Sequence, residues 1–293
     1  MKDLLDKAGT LMEALPWIKE AWGRKVVIKY GGAAMKDPVL REQIAADIVL
    51  MKLVGVNPIV VHGGGSEITG LMERLGMPVR FLNGQRVTTE EAMDIVRMVL
   101  VGKVNKELVG AINMHGRLAI GVSGEDGNLV VATPRSPEFG RVGDVVSIDT
   151  TILENLIDSG FIPVVASVAN GDDGASLNVN ADLVAGEVAS ALGADKVIFL
   201  TDVNGLYRDV DDPASLLSVL TPEQIETMMA ADEIAGGMLP KVTACLGAIR
   251  SGVRRAHILN GTVEHALLLE VYTDEGVGTM ITGDFIRGRV GGK

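Results

Sequence analysis

The sequence predicts an α/β fold in which a mostly parallel central sheet lies between two layers of helices, a three-layer αβα sandwich. Short runs rich in β-branched residues alternate with stretches of helical periodicity, which is typical of a sheet covered on both faces. The 293 residues are 47% hydrophobic and include 36 glycines, two Trp, three Tyr and five Phe. This composition favours a large core with many tight turns over a β-sandwich or a coiled coil.

Residues 1–23 are predicted to form an amphipathic helical arm. Apolar residues recur at helical spacing from Leu4 to Trp22. Pro16 is expected to kink or divide this helix. The apolar stripe can fold back on the chain's own core or pack against another subunit as an oligomerisation arm, and the pattern alone leaves both open.

From residue 24 onward, strands and helices are predicted to alternate. Strands are expected at 25–30, at PIVVH (58–62) and in the later runs RLAIGVSG, FIPVVAS, DKVIFLTD and RAHILNG. Helices are expected at about 38–53, 66–75, 89–114, 149–158, 181–192 and 239–251. The turn-rich segment 132–149 is predicted to form a small hairpin over the sheet. We divide the part after the arm into two lobes, 24–175 and 176–293.

Composition also argues against several classes of protein. The formal net charge of −11 argues against a nucleic-acid surface. The single cysteine, Cys245, has no internal disulfide partner, and no apolar run approaches the roughly 20 residues that span a bilayer. The N-terminus lacks the uncharged segment of a signal peptide. We therefore expect a soluble cytoplasmic protein with no membrane partner.

Two glycine turns follow the first two predicted strands. In KYGG, Lys29 precedes Gly31 and Gly32, and HGGG spans 62–65. Glycine turns expose backbone N–H groups, and a helix N-terminus behind them favours anions, so this arrangement predicts phosphate handling. Neither turn fits a Walker A loop or GxGxxG. HGGG can also form the oxyanion hole of a hydrolase, but the chain contains no GxSxG nucleophile elbow.

Two further stretches place charged or polar residues beside predicted helices. In NVNAD, Asn178, Asn180 and Asp182 alternate with apolar residues and point to one side if the strand continues to Asp182. N-capping of the next helix needs only one of them. In GGMLPK, Lys241 lies in the first turns of a helix behind a glycine pair. No HExxH or paired CxxC occurs, so no protein-held metal site is predicted.

KYGG, HGGG, NGQRVT, NVNAD and GGMLPK, in this order, resemble the amino acid kinase family, and within it the acetylglutamate kinases of the arginine-sensitive type. The resemblance covers Lys25 to Ile281. It implies an amino acid kinase-like fold and phosphorylation of the γ-carboxylate of N-acetyl-L-glutamate by ATP, the second step of arginine biosynthesis. Lobe 24–175 then holds the amino-acid substrate and lobe 176–293 the nucleotide.

The resemblance also implies the catalytic residues. Lys29 is similar to the lysine that stabilises the transferring phosphoryl group, and Lys241 to its partner on the nucleotide side. Asp182 resembles the carboxylate that holds both lysines. Phosphoryl transfer to an ionised carboxylate needs alignment and charge neutralisation rather than a general base, so these residue types suit the chemistry.

Substrate contacts carry over in the same way. Gly64 and Gly65 match the backbone that contacts acetylglutamate, Arg86 the group that binds its α-carboxylate, and Asn178 a polar contact with the acetylated amino acid.

Nucleotide contacts are also implied. Gly31 and Gly32 face the phosphates, and Thr201 and Asp202, in LTDVNGLY (200–207), belong to the nucleotide pocket. Mg²⁺ is expected to bind through ATP.

Regulation and assembly are further implications of the resemblance. Arginine-sensitive relatives have an N-terminal helix that links dimers into hexamers, so we expect a homohexamer built as a trimer of dimers. L-Arginine is the expected inhibitor, with Lys196, His265, Glu270 and Gly276 as candidates for its site. A PII-type regulator is a further possible partner. The stretch ALLLEVY (266–272) also fits an edge strand.

Two alternatives remain beside this reading. A kinase acting on acetylaminoadipate differs by one methylene in its substrate, a difference worth only ~1–3 kcal/mol in discrimination. A catalytically silent arginine sensor is the second, and the presence of Lys29, Asp182 and Lys241 argues against it.

Overall fold

Strands and helices alternate along the chain in the predicted order. The computed structural model describes residues 2–35, 37–209, 211–234, 236–273 and 276–283. The strands are β1 (Lys25–Tyr30), β2 (Asn57–His62), β3 (Phe81–Leu82), β4 (Gln85–Arg86), β5 (Ala119–Ser123), β6 (Val130–Pro134), β7 (Val142–Ile148), β8 (Ile162–Ala166), β9 (Val168–Gly171), β10 (Ser176–Val179), β11 (Lys196–Thr201), β12 (Val219–Leu220), β13 (Arg255–Asn260) and β14 (Thr279–Ile281). The α-helices are α1 (Lys2–Ala21), α2 (Pro38–Leu53), α3 (Gly65–Arg74), α4 (Glu90–Arg97), α5 (Asn105–Asn113), α6 (Thr151–Asp158), α7 (Ala181–Ala191), α8 (Pro222–Ala230), α9 (Met238–Arg250) and α10 (Ala266–Tyr272).

Eight strands form the central sheet in the order β12-β14-β13-β11-β1-β2-β8-β5. Every neighbouring pair is parallel except β13–β14, which is antiparallel. The prediction of a mostly parallel sheet is confirmed. Because β1 lies between β11 and β2, the turn that follows it lies near the middle of the carboxyl edge of the sheet.

Helices cover both faces of this sheet. Val26 and Ile28 of β1 pack in a buried cluster with residues of α2, α5 and α10, whereas Val27 packs with residues of α6, α7 and α9. Alternate side chains of a strand point to opposite faces, so β1 contributes to both cores. The three-layer arrangement is therefore confirmed.

A second, smaller sheet lies beside the central one. Strands β6, β7, β9 and β10 pair in a closed ring in the order β10-β7-β6-β9. The hairpin predicted over 132–149 is the antiparallel pair β6–β7 of this ring. The predicted lobe boundary between residues 175 and 176 falls between β9 and β10, which pair with each other. The division into two lobes stays a prediction.

The N-terminal arm is helical but only partly covered by the rest of the chain. Helix α1 runs through Pro16 without being divided. Among the stripe residues whose side chains the structure describes, Met12, Leu15 and Trp22 are exposed. A cavity of about 590 Å³ lies between α1, α2 and α10, and Trp17 lines it although it falls outside the predicted stripe.

The structure decides two points that the sequence left open. The strand of NVNAD does not continue to Asp182: β10 ends at Val179, and the Asn180 side chain caps α7 by accepting from the Asp182 and Leu183 backbone N–H groups at 2.8 and 3.4 Å. The alternative edge strand at ALLLEVY is a helix, α10, which begins after His265 in a left-handed conformation with φ of 56°.

Helices α7 and α9 pack closely because small residues meet between them. A Cβ on Gly186 of α7 would lie 3.0 Å from the Ala244 carbonyl oxygen of α9. The next residue, Cys245, is fully buried. In the described part of the chain, no helix has the length and apolar character needed to cross a membrane.

Candidate active site

Several predicted site residues meet at the carboxyl edge of the central sheet. The turns that follow β1 and β2 lie there, and α3 and α7 begin beside them, which is where parallel α/β sheets bind ligands. A cavity of about 370 Å³ opens between these elements. Its lining includes eight of the predicted residues, which are Lys29, Gly31, Gly32, Gly64, Gly65, Arg86, Asn178 and Asp182.

Two lysines share one carboxylate at this edge. The Lys29 Nζ lies 2.8 Å from the Asp182 Oδ1, and the Lys241 Nζ lies 3.0 Å from the Asp182 Oδ2. Lys241 also donates to the Gly237 carbonyl at 3.3 Å. The three side chains come from β1, α7 and α9, and all are largely buried. Two ammonium groups and one carboxylate leave one positive charge beside the cavity.

Asp182 is ionised because its two partners outweigh its burial. Burial alone raises the pKa of this carboxyl, but the positive charges of Lys29 and Lys241 and their hydrogen bonds bring the pKa below its usual value of 3.8. A buried carboxylate held in this way can fix the positions of both ammonium groups.

The turn after β1 has no side chains because the Lys29 ammonium occupies the space. A Cβ on Gly31 would lie 2.6 Å from the Lys29 Nζ. Gly32 has a φ of +72°, which glycine adopts without strain, and it lies close to Thr201 and Asp202. The two glycines therefore allow the lysine to fold back over its own turn.

The second glycine turn packs against two helices. A Cβ on Gly64 would lie 2.7 Å from the Leu100 Cδ2, and one on Gly63 would lie 3.3 Å from the Ala181 Cβ. Leu100 belongs to a π-helical segment, Met98–Val104, which interrupts the helix predicted over 89–114. Helix α3 begins at Gly65, so its first backbone N–H groups face the cavity edge.

Arg86 presents a guanidinium whose hydrogen-bond partners among the described residues are all neutral. Its Nη2 donates to the Gly65 carbonyl at 2.8 Å and to the Thr69 hydroxyl at 2.6 Å. The guanidinium carbon lies 4.9 Å from the centre of the Phe81 ring. Burial lowers the pKa of Arg86. A buried cation with neutral partners is suited to binding a carboxylate.

Asn178 reaches the cavity from the small sheet, where its Nδ2 donates to the Thr88 hydroxyl at 3.1 Å. Four further polar residues line the cavity and were not predicted as binding residues: Ser66, Gln85, Ser167 and Asn180. Ser167 follows the end of β8, so its place after a predicted strand is the feature of the sequence that points to it.

A second cavity, of about 490 Å³, lies between the segment that follows β11 and the start of α9. It is lined by residues after β11, including Asp202 and Tyr207, and by Met238 at the start of α9. Thr201 is buried at the end of β11 and its hydroxyl donates to the Asp202 carboxylate at 3.1 Å. LTDVNGLY thus contributes directly to this cavity.

Of the four arginine candidates, the structure brings two, Glu270 and Gly276, into contact. Glu270 is buried, pairs with the His257 Nδ1 at 2.7 Å and accepts from the Val277 N–H at 2.8 Å. A Cβ on Gly276 would lie 2.8 Å from Glu270, and the Glu270 charge acts on the buried Lys196.

His265 lies at the other end of α10. Its Nδ1 is 2.7 Å from the Asp47 Oδ1, and this bond is the main reason that the pKa of His265 is raised. Among the described residues, no three His, Cys, Asp or Glu side chains form a group that could hold a metal ion.

A mostly parallel sheet whose glycine turns, helix N-termini and Lys29–Asp182–Lys241 cluster meet at one edge suits a phosphotransferase. Residues 24–260 match the model of the amino acid kinase family. The chain is 51% identical over 274 residues to an acetylglutamate kinase of Nostoc sp., covering 93% of this chain and 92% of the relative. It is 48% identical to an acetylglutamate kinase of Heliobacterium modesticaldum, covering 96% and 99%.

The fold is also similar to that of the N-acetylglutamate synthase from Neisseria gonorrhoeae solved with coenzyme A and N-acetyl-glutamate. The TM-score is 0.83 at 24% identity, and the alignment covers 95% of this chain but 64% of that one. The chain belongs to the amino acid kinase family, and within it to the acetylglutamate kinases.

Proposed function

We propose that this kinase transfers the γ-phosphoryl group of ATP to the γ-carboxylate of N-acetyl-L-glutamate, as a step of arginine biosynthesis. The products are N-acetyl-L-glutamyl 5-phosphate and ADP. The observation that carries the proposal is the Lys29–Asp182–Lys241 cluster, in which each carboxylate oxygen lies within 3.0 Å of one ammonium group. Relatives about 50% identical over most of the chain, named acetylglutamate kinase, support the same substrate.

In the proposed reaction, a γ-carboxylate oxygen attacks the γ-phosphorus and the bond from this phosphorus to the β–γ bridging oxygen breaks. The electron pair of that bond leaves with ADP. No proton needs to be removed from the acceptor, because a carboxylate is already ionised near neutral pH. Lys29 and Lys241 stabilise the charge on the transferring group, and Asp182 holds them in place without touching the substrate.

The acetylglutamate contacts follow from the cavity wall. Arg86 pairs with the α-carboxylate, since its guanidinium is buried beside the cavity with neutral partners. The backbone of Gly64 and Gly65 and the side chain of Asn178 contact the acetylated amino acid, because all three line the same cavity.

ATP is proposed to occupy the second cavity with its base, while its phosphates extend towards Gly31 and Gly32. Gly32 adjoins Thr201 and Asp202, and Asp202 lines that cavity, which supports a continuous path between the two. Mg²⁺ enters with ATP, bound by the phosphate oxygens, and offsets part of their charge.

A hydroxamate assay for the acyl phosphate tests the reaction. We expect colour with ATP and N-acetyl-L-glutamate and far less with glutamate or aspartate. N-Acetylaminoadipate in a parallel reaction separates the longer-chain alternative, which predicts the higher kcat/KM for that acid. ADP release measured with and without acetylglutamate separates the silent-sensor alternative. Absence of product with every acid would contradict the proposal.

Feedback inhibition by L-arginine is a second proposal on the same enzyme. Glu270 and Gly276 are in contact beside α10, and the Glu270 charge acts on the buried Lys196, so these residues offer a carboxylate for a guanidinium and a cation for a carboxylate. His265 at the far end of α10 remains a candidate at its margin. Initial rates measured against arginine test this: no inhibition at millimolar concentration would end the idea.

Assembly through the N-terminal arm is proposed from the exposed part of its stripe. Met12 is 65% and Trp22 67% exposed on the isolated chain, and burial against another subunit removes this surface from water. We propose hexamers that become dimers when residues 1–23 are deleted, measured by light scattering. A truncated hexamer would refute the role of the arm. Binding of a PII-type regulator and a cytoplasmic location stay predictions from the sequence.

A further inference from the structure

His62 ends β2 and begins the second glycine turn, but its imidazole lies behind the turn rather than in the cavity wall. The side chain is fully buried. Its Nδ1 is 3.0 Å from the Gly63 carbonyl oxygen and its Nε2 is 3.1 Å from the Asn105 Nδ2. Each ring nitrogen therefore has one partner.

The orientation of Asn105 decides which ring nitrogen carries the proton. The Asn105 Nδ2 donates to the Val164 carbonyl at 2.8 Å, while its Oδ1 accepts from the Lys106 ammonium at 3.2 Å. Turning the amide over would place its oxygen against a carbonyl and its nitrogen against an ammonium group. The Nε2 of His62 thus faces an N–H and accepts, and the proton resides on Nδ1, which donates to Gly63.

The imidazole is neutral in this environment. Burial lowers the pKa of His62 to about 4; the bond to the Gly63 carbonyl opposes this shift, and the positive charge of Lys106 adds to it. A second proton on Nε2 would also meet the Asn105 amide hydrogens. The ring is therefore held in one tautomer at neutral pH.

Fixing the Gly63 carbonyl also fixes the next N–H group. The peptide bonds described in this chain contain no cis bond, and in a trans peptide the C=O and the following N–H point in opposite directions. With the Gly63 carbonyl drawn towards His62, the Gly64 N–H points away from it, to the side on which Gly64 lines the cavity.

The π-helical segment and the residue after it place Leu100 and Asn105 against this turn. Leu100, within Met98–Val104, packs against Gly64, and Asn105 is the first residue after the segment. Gly121 on β5 leaves room for Asn105, because a Cβ there would collide with the Asn105 Oδ1. The same stretch of helix thus packs against Gly64 through Leu100 and selects the tautomer of His62 through Asn105.

We propose that His62 is a positioning residue that, held by Asn105 as the Nδ1–H tautomer, orients the Gly63–Gly64 peptide so that the Gly64 N–H donates to an anionic oxygen of the substrate. This role rests on the proposed function, which places substrate against Gly64. It assigns a task in the reaction to a buried side chain that never touches the substrate.

Three substitutions separate the two ring nitrogens. His62→Asn places an amide N–H near the Nδ1 position, His62→Gln places an amide oxygen near the Nε2 position, and His62→Leu supplies neither. We expect His62→Gln and His62→Leu to lower kcat/KM roughly 10–100-fold through misplacement of the amide, and His62→Asn to stay within about threefold of the unaltered enzyme. His115→Leu, at an exposed histidine beyond α5, is the control and should leave activity unchanged.

Thermal unfolding of each variant separates this role from a merely structural one. The proposal is wrong if all three variants lose activity equally and in step with their loss of stability. It is also wrong if His62→Gln retains more activity than His62→Asn. The activity of the unaltered enzyme on acetylglutamate tests the proposed function separately.

Nitrogen NMR of the unaltered protein provides a test that needs no substrate. The chain has four histidines, so ¹⁵N-histidine labelling gives few signals. We expect the His62 ring to have a protonated Nδ1 and an unprotonated Nε2 whose shifts stay constant near neutral pH; the buried His257, whose Nδ1 faces Glu270, should give a second ring of the same kind. The His62 ring should be absent from the His62→Asn spectrum. A His62 ring protonated on Nε2 would overturn the proposal whatever the activity.

Discussion

Replacing Asp182 by asparagine keeps the shape of the side chain and removes the charge that holds Lys29 and Lys241. The amide oxygen can still accept from one ammonium group, but the amide nitrogen meets the other as donor against donor. One lysine is therefore displaced from the cluster. The site also changes from one net positive charge to two.

The magnitude follows from the burial of the cluster. The side chains of Lys29, Lys241 and Asp182 are 10%, 16% and 8% exposed. Removing one partner of a buried ion pair costs about 3–5 kcal/mol, and the retained oxygen puts Asp182→Asn near the lower end. Displacement of one lysine should lower kcat ~10²–10³-fold, as for one lost electrostatic stabiliser.

The KM for ATP should not rise, because the extra positive charge favours an anion. ADP release and hydroxamate formation, measured over a range of ATP concentrations, give this division between kcat and KM. Asp158→Asn, at an exposed aspartate that ends α6, is the matched control and should leave both constants unchanged. An Asp182→Asn enzyme within about threefold of the original kcat would refute the reasoning, since the predicted loss is at least tenfold larger.

The stability of the cluster should also depend on pH in a known direction. The pKa of Asp182 is below 3.8 in the folded chain. Its pairing therefore contributes fully above the unfolded-state pKa and is lost as pH falls through the folded pKa. Urea unfolding should show a constant difference between the original protein and Asp182→Asn from about pH 6 to 8. A difference that vanishes within this range would contradict the assignment.

Other substitutions give distinct outcomes. Lys29→Ala and Lys241→Ala should each lower kcat by ~10²–10³-fold with a smaller effect on KM, and an unchanged kcat would remove that lysine from the reaction. Arg86→Ala should mainly raise the KM for acetylglutamate, and a nearly unchanged KM would remove it from the site. Gly64→Ala pushes a methyl group into a buried leucine of the π-helical segment, so it should cost about 1–3 kcal/mol in the free energy of unfolding and raise the KM for the acid. Gly70 lies within α3 and has open space around it. Gly70→Ala should therefore raise the free energy of unfolding by ~0.5–1 kcal/mol and leave the kinetics unchanged, and a loss of activity would show that α3 tolerates no added methyl group.

The parts of the fold that local pattern controls could be predicted from the sequence. Strand β1 and helix α2 match their predicted bounds, because β-branched residues define the strand and Asp37 caps a helix with Pro38 at its first position. Helix α8 was not predicted. Its sequence contains a capping box between Thr221 and Gln224, but its few buried apolar residues weaken the periodicity.

Other segments stayed open in the sequence because a few residues fit two structures. ALLLEVY is too short for periodicity to separate a buried strand from a helix. Glu270 pairs with His257 because α10 directs the Glu270 side chain towards β13. This contact between two elements could not be predicted from the local pattern of either one. In NVNAD, capping by Asn180 ended the strand earlier than alternation suggests.

The candidate site could be located but not assembled from local pattern. Glycine turns after two strands indicate a ligand edge, yet Lys29, Asp182 and Lys241 come from three elements far apart in the chain. Their grouping came from the family resemblance. The His62–Asn105 pair was missed because a buried histidine after a strand has no distinctive pattern, and its partner lies 43 residues away.

The chain's single thiol, Cys245, is placed where it can report on movement of the helix that carries Lys241. Cys245 is one helical turn beyond Lys241 on α9 and is sealed behind α7, where Gly186 and Ala244 are in close contact. Because Cys245 is fully buried, we expect alkylating reagents to react with it only when α9 separates from α7, and burial also raises the pKa of this thiol. The labelling rate of an unaltered enzyme therefore measures how often the lysine-bearing helix opens, and a nucleotide that bridges the two helices should slow it.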